Sequence, residues 1–186
     1  MQYNNSVYMQ NYNSRIQYRY TFIPVCTIIL IVTFLFILSA CRAGNSDSLD
    51  QAQAASVKDS VNRLAANVQH DVSQEGPKAW LRYFDKSPDF FMASGGKLVF
   101  PNYDSAVTFV KWFASTGRSI KLTWSDLKID PLSSDLAVLR AYWFEVITDS
   151  SGNRTPSEGY FTGIVKYTPV GWKFRNLHWS IAGQTD

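Results

Sequence analysis

Three extended runs in the second half of the chain constrain its fold most. They are Leu136–Thr148, Tyr160–Thr168 and Gly171–Ser180, and each is rich in aromatic and β-branched residues. Residues 149–153 (Asp-Ser-Ser-Gly-Asn) and 169–171 (Pro-Val-Gly) separate them, and both segments have the composition of tight turns. Strands joined by such short connections pair antiparallel. The sequence therefore predicts an antiparallel sheet built from these strands.

A fourth strand is predicted over Ser119–Asp130, with an irregularity in its middle. The apolar residues alternate up to Trp124, but the next ones, Leu127 and Ile129, fall on the opposite face. A β-bulge near Ser125–Asp126 would return them to the first face and bend the sheet.

The preceding segment is predicted to contain three helices and a small hairpin. Valine and leucine side chains form one stripe at helical spacing in the first helix, and Gly76–Pro77 ends it. The predicted order is helix Leu49–Val72, helix Pro77–Phe84, hairpin Phe90–Ala93 with Lys97–Phe100, and helix Tyr103–Ser115 capped by Asn102. Helices followed by strands indicate an α+β fold, here three N-terminal helices packed on a strongly bent antiparallel sheet that forms a cone.

The N-terminal 40 residues have the pattern of an export signal. Arg15 and Arg19 precede the apolar run Phe22–Leu38, and small residues follow it. Residues 38–41, Leu-Ser-Ala-Cys, resemble a bacterial lipobox, which implies cleavage before Cys41 and its modification with lipid such as palmitate. The alternative is an uncleaved membrane anchor, for which the apolar run is barely long enough. Met1 and Met9 are both possible starts.

The lipoprotein interpretation predicts four segments: a signal peptide at 1–40, a tether and helix start at 41–54, the domain at 55–182 and a tail at 183–186. It places the domain outside the cytoplasm in the cell envelope, and Arg42 after the cysteine favours the outer membrane by resemblance to lipoprotein sorting rules. Removal of Arg15 and Arg19 leaves a formal charge of +1, which indicates no nucleic-acid partner. Because Cys26 leaves with the signal, the domain has no free thiol.

The chain resembles the nuclear transport factor two-like superfamily, specifically its SnoaL-like and ketosteroid-isomerase-like domains, over about residues 55–181. The resemblance rests on the element order and on short segments: Phe84–Asp85, Asp135–Val138 before Trp143, Gly159–Thr162, Gly171–Phe174 and Leu177–Ser180. It implies a cystatin-like roll with a pocket between the concave face of the sheet and the helices.

The pocket implied by the resemblance is an apolar cup with a few polar groups. Strand alternation places Ala137, Leu139, Ala141 and Trp143 inward, together with Phe161, Gly163, Val165 and Tyr167. The candidate ligand-binding residues are Trp80, Tyr83, Phe91, Trp124, Trp143, Glu145, Phe161, Asn176 and His178.

His178 and Glu145 are the candidate catalytic residues. His178 could act as a general acid or base with Glu145 as its partner, or it could make only structural hydrogen bonds. The ketosteroid isomerase reaction needs an aspartate base and a tyrosine. It is not favoured here, because the position that resembles the base falls near Phe91–Ala93, which contains no carboxylate, and because Leu49–Val72 contains no tyrosine. The two histidines of the chain show no metal-ligand spacing, so neither a metal nor a cofactor is predicted.

The outward positions of the sheet are also apolar. Leu136, Val138, Tyr142, Phe144 and Val146 share this face, and alternation adds Leu177 and Trp179. Since a solvated face should be polar, the pattern predicts a homodimer through the sheet. Three functions remain open from the sequence: a lipid-anchored domain that binds a small apolar ligand or acts as a scaffold, an enzyme of the SnoaL-like cyclase or isomerase type, and a dimeric interaction module.

Overall fold

The computed structural model describes residues 49–183. The predicted signal peptide, Cys41, most of the tether and the last three residues of the tail lie outside the described residues. Within 49–183, no helix is long and apolar enough to cross a membrane.

Two α-helices and one 3₁₀ helix cover the sheet. Helix α1, Gln51–Glu75, begins at a capping box formed by Asp50 and Gln53, and its valine and leucine stripe is buried. The second predicted helix is a 3₁₀ helix, Pro77–Arg82, rather than an α-helix. Helix α2, Tyr103–Ser115, has the predicted bounds and Asn102 as its N-cap.

The sheet has six strands in the order β2-β1-β6-β5-β4-β3. The strands are β1 Phe91–Ser94, β2 Lys97–Phe100, β3 Ser119–Pro131, β4 Leu136–Thr148, β5 Arg154–Thr168 and β6 Gly171–Trp179. All neighbours pair antiparallel as predicted, except β1 and β6, which are parallel. The sheet is therefore mixed, and the α+β class predicted from the sequence is confirmed.

The predicted bulge in β3 is present. The register with β4 shifts between Ser125 and Lys128, and Asp126 has a φ of 48°. Aspartate tolerates this left-handed backbone better than most residues because its short side chain is polar. Leu127 and Ile129 then pack against the same core as Leu122, so the bulge restores one buried face.

A second bulge in β6 was not predicted. Ile164 pairs with Asn176 but its neighbour Val165 pairs with Phe174, which leaves Arg175 as the extra residue. On the side away from β5, β6 also changes its neighbour at this point. Phe174 hydrogen-bonds to the segment Tyr83–Asp85, whereas the residues from Asn176 onward pair with β1.

The bulge reverses the predicted faces of the end of β6. Phe174 is buried as predicted, but after the extra residue it is Leu177 and Trp179 that are buried, while His178 is exposed. The prediction that Asn176 and His178 face the cone, and that Leu177 and Trp179 face outward, is wrong. A shift of one residue exchanges the two faces of a strand.

The concave face of β4 and β5 is buried as strand alternation predicts. Ala137, Leu139, Ala141 and Trp143 are all buried. Phe161 and Val165 from β5 are fully buried, whereas Tyr167, expected on the same face, is 54% exposed. The valine stripe of α1 belongs to the same core cluster as Ala137, Leu139 and Trp143, so this helix packs on the concave face.

Candidate functional site

A cavity of about 250 Å³ lies between the concave face of the sheet and the segment formed by the 3₁₀ helix and α2. Among residues 49–183, its lining is apolar except for one carboxyl and two hydroxyl side chains, those of Glu145, Ser94 and Ser157. The apolar lining residues are Pro77, Trp80, Phe84, Met92, Phe100, Phe109, Val110, Phe113, Ile120, Trp143, Ile147, Leu177, Trp179 and Ile181.

Regular periodicities place the lining residues of β4 and α2. Trp143, Glu145 and Ile147 alternate along β4 and share its concave face. Phe109 and Phe113 lie one helical turn apart on α2 and stack on each other with 5.9 Å between ring centroids. The end of the sheet that α2 covers is therefore the end that contains the cavity.

The segment after β6 closes one side of the cavity. Ser180 donates its backbone N–H to Tyr160, and Ala182 donates to Glu158, so this segment runs along β5. The crossing is close at Gly159, where a Cβ atom would overlap the carbonyl oxygen of Ser180. Glycine at this position lets Ile181 reach the cavity wall.

Glu145 is the ionisable residue of the cavity wall. Its cross-strand neighbours are Leu122 on β3 and Ser157 on β5, neither of which carries charge. Burial raises the pKa of Glu145 from 4.5 to about 7, and no other group among the described residues offsets that effect. At neutral pH the carboxyl is therefore divided between its protonated and ionised forms.

Trp179 contributes an unpaired hydrogen-bond donor. The residue is 8% exposed, and its indole Nε1 has no acceptor within residues 49–183. By contrast, the indole Nε1 of Trp143 donates to the Ser180 carbonyl oxygen at 3.2 Å. A buried donor without a partner is costly, so this indole N–H lowers the stability of the core.

Aromatic rings form one continuous wall. Trp179 packs edge-on against Trp143 and Trp80, with centroid distances of 5.1 and 5.8 Å. Trp80 also stacks on Phe84 at 5.7 Å. The indole rings of this wall therefore offer a fluorescence signal for ligand binding.

Three of the predicted pocket residues line the cavity, namely Trp80, Trp143 and Glu145. Trp124 and Phe161 pack against each other at 5.1 Å in the core and do not line it. Their ring faces are occupied by protein, since Trp179 contacts both. The ligand-binding role of the three lining residues stays a prediction.

Four other predicted pocket residues lie elsewhere. Phe91, Asn176 and His178 are on the outer face of the sheet, where Phe91 pairs with Asn176 and His178 with Thr162. The β6 bulge is the cause for Asn176 and His178. Because Glu145 and His178 are on opposite faces, the predicted catalytic pair is not formed.

Tyr83 lies beyond the end of the 3₁₀ helix and bonds to α1. Its hydroxyl donates to the Asp71 carboxylate, which also accepts from Arg82. Burial and this hydrogen bond raise the pKa of Tyr83 to about 12. The residue therefore joins two helices and does not reach the cavity.

The sequence contained signals for some of the lining residues that were missed. Ala106, Phe109, Val110 and Phe113 follow the i, i+3, i+4, i+7 pattern that marks the inward face of a helix. Met92 and Ser94 alternate with Phe91, so the hairpin offered two possible faces and the wrong one was predicted. Trp179 could not be found by alternation, because the bulge precedes it.

No group of His, Cys, Asp or Glu in residues 49–183 is arranged to hold a metal ion.

Comparisons with solved structures identify the fold. No protein-family model matches this sequence, and no curated protein matches it. A nuclear transport factor 2-like superfamily protein from Salmonella enterica serovar Typhimurium is similar, with a TM-score of 0.57, 17% identity, and coverage of 71% of this chain and 95% of that one.

Two other solved structures give the same result. A proposed dehydratase of the nuclear transport factor 2-like family from Streptomyces avermitilis has a TM-score of 0.60 at 12% identity, covering 70% of this chain and 99% of its own. A ketosteroid isomerase-like protein from Erwinia carotovora atroseptica has a TM-score of 0.53 at 14% identity, covering 67% and 95%. The described domain therefore has the cone-shaped nuclear transport factor 2-like fold.

Proposed function

We propose that this domain binds a small, largely apolar molecule in the cavity between the sheet, the 3₁₀ helix and α2. The observation that carries the proposal is the cavity itself, about 250 Å³ lined by aromatic and aliphatic side chains with a single carboxyl. Cavities that bind small molecules typically combine apolar walls with a few polar groups.

A cavity-filling variant tests this proposal. Toluene and indole are titrated into the full chain, held in lipid nanodiscs so that no free detergent competes, and the heat of binding is measured against empty nanodiscs. Val110→Phe adds bulk to a lining residue that is 5% exposed, and it should weaken binding at least tenfold. Val170→Phe, at a turn residue that is 77% exposed, is the matched control and should bind as the native chain does. Absence of binding, or equal binding by both variants, would overturn ligand binding in this cavity.

An enzymatic function is the second candidate, with Glu145 as the general acid or base. The pKa of about 7 supports it, because a catalytic carboxyl works best when its pKa lies near the working pH. Two of the similar structures, a proposed dehydratase and a ketosteroid isomerase-like protein, suggest the same class of chemistry. His178 is no longer a candidate, since it is exposed on the other face.

Proton exchange can test the enzymatic candidate without a known substrate. Small aryl ketones are incubated with the full chain in deuterium oxide, and loss of the α-proton signal is followed by NMR. An enzyme of this type should accelerate exchange, and Glu145→Gln should remove the acceleration because its amide cannot accept the proton. Exchange at the rate of the buffer alone would exclude Glu145 as a base toward these ketones.

The domain is proposed to be anchored to the cell envelope through lipid on Cys41, with the outer membrane favoured by Arg42. The lipobox-like residues 38–41 after the apolar run Phe22–Leu38 support this. In a bacterial host fed an alkyne analogue of palmitate, the native chain should be labelled and sediment with membranes. Cys41→Ala should lose the label, and a labelled Cys41→Ala chain would contradict the proposal.

A further inference from the structure

We propose that the molecule bound in the cavity is an organic ammonium ion with an apolar body, held by the Glu145 carboxylate and by the surrounding aromatic rings. This inference rests on the proposed ligand-binding function and names the chemical class of the ligand.

The charge of the cavity wall is the first argument. Glu145 is flanked by Leu122 on β3 and Ser157 on β5. The lining contributed by α2, the 3₁₀ helix and the other strands is apolar apart from Ser94, and it includes no lysine, arginine, histidine or second carboxyl within residues 49–183. An ionised Glu145 therefore has no protein cation to pair with. A ligand cation would supply the missing partner.

The rings of the wall are the second argument. Seven aromatic side chains line the cavity: Trp80, Phe84, Phe100, Phe109, Phe113, Trp143 and Trp179. The faces of aromatic rings carry negative potential and attract ammonium groups, and tryptophan does so most strongly. A ring face that contacts the ligand would thus favour the same charge as the carboxylate does.

The position of the carboxyl indicates how the ligand would lie. Glu145 and Ser157 are half-buried, whereas Trp143 and Leu177 are buried at 2% exposure each. These two polar side chains are therefore nearer the solvent than the part of the wall formed by Trp143 and Leu177. An amphipathic cation would enter with its apolar body first and leave its ammonium beside Glu145. The volume of about 250 Å³ suits one ring with a short chain.

Binding of a cation should depend on pH through Glu145. Burial raises its pKa to about 7, and a cation binds the ionised form. The ionised fraction in the free protein rises from about a tenth at pH 6 to about nine tenths at pH 8, so the apparent affinity should increase about tenfold over this range.

The test compares two probes that differ in charge, 2-phenylethylammonium and 2-phenylethanol. Each is titrated into the full chain in nanodiscs of zwitterionic lipid, with empty nanodiscs as the blank, at pH 6, 7 and 8. The ammonium should bind at least tenfold more tightly than the alcohol at pH 8 and gain about tenfold from pH 6 to pH 8. Glu145→Gln should remove both differences, whereas Glu145→Asp, which keeps the charge, should retain the preference and show that the fold is intact.

Three results would overturn the inference but leave the proposed function standing. Equal binding of the two probes, tighter binding of the alcohol, or an ammonium preference that survives in Glu145→Gln would show that the carboxylate does not select a cation. In each case the cavity would still bind a small molecule, so the proposed function would stand. If neither probe binds while toluene or indole does, the ligand is neutral and only the inference fails. If none of the four probes binds, both fail.

Discussion

At the scale of single residues, Glu145 connects the cavity with the stability of the domain. Its carboxyl binds a proton more tightly in the folded state, because burial raises the pKa from 4.5 to about 7. As pH rises from about 4.5 to 7, the unfolded chain releases this proton before the folded chain does, so the free energy of unfolding falls. The loss is nearly complete by pH 8 and amounts to about 3 kcal/mol.

Glu145→Gln should remove this loss, because the amide does not ionise. Urea unfolding of the full chain at pH 4.5 and pH 8, followed by tryptophan fluorescence, measures the difference for native and variant proteins. Subtracting the variant's change in unfolding free energy from that of the native protein cancels the contribution of every other titrating group. If the unfolding free energies of the two proteins depend on pH in the same way, burial does not raise the pKa of Glu145.

Tyr83 gives a second prediction for a single residue. Its hydroxyl donates to Asp71, whose pKa lies well below its usual range chiefly because of this hydrogen bond. Tyr83→Phe removes the donor and should lower the free energy of unfolding by about 1 kcal/mol, as expected for a partly exposed bond to a charged group. Tyr167→Phe, at a tyrosine that is 54% exposed, should change it by less than about half as much. Equal effects in thermal unfolding would contradict the structural role of the bond.

Residue types alone could not separate the functional candidates. Glu145 and His178 both looked suitable for acid–base chemistry in the sequence, yet only Glu145 lines the cavity. The distinction depends on which face of a strand each residue occupies. Alternation along β4 is unbroken and places Glu145 beside Trp143 as predicted, whereas β6 loses its alternation at Arg175.

At the scale of elements, the bounds of a helix or strand could be predicted from the sequence where its ends carry local signals. Helix α2 lies between the Asn102 cap and Gly117, and β4 ends at the turn of residues 149–153, so both have the predicted bounds. The β6 bulge has no such local cause. It occurs where the strand exchanges Tyr83–Asp85 for β1 as its neighbour, and this exchange is a property of the assembled sheet.

Gly159 provides the prediction for this scale. In Gly159→Ala the new methyl group would overlap the Ser180 carbonyl, which also accepts from Trp143, so the segment that closes the cavity must move. The expected loss of unfolding free energy is about 2 to 3 kcal/mol, with a shift in tryptophan fluorescence. Gly96→Ala is the control, because Gly96 has a φ of 69° but open space around it. It should cost only about 1 kcal/mol of backbone strain and leave the fluorescence unchanged.

At the scale of the whole molecule, the fold is easier to predict than the site. The order of helices and strands, with short turns between strands, leaves few ways to cover one face of a bent sheet. Which side chains line the remaining cavity depends on the bulges in β3 and β6, on the register shift between β1 and β2, and on the path of the C-terminal segment past Gly159. The extra residue in β6 alone exchanges the faces of that strand, which is enough to replace His178 by Trp179.

The outer face of the sheet gives the last prediction, a homodimer. Phe144 and Tyr160 are 40% and 56% exposed there, and Tyr142 packs edge-on against Tyr160 at 5.6 Å. Leu177 and Trp179 do not add to this face as the sequence suggested, but the remaining aromatic patch still favours pairing with a second copy.

Phe144→Lys combined with Tyr160→Lys should convert a dimer into a monomer, because paired interfaces would bring four lysines together. Light scattering after size exclusion, with detergent mass subtracted, measures the state of the full chain. Val170→Lys, in an exposed turn, should remain dimeric, and a native chain that is monomeric at all concentrations would exclude the dimer.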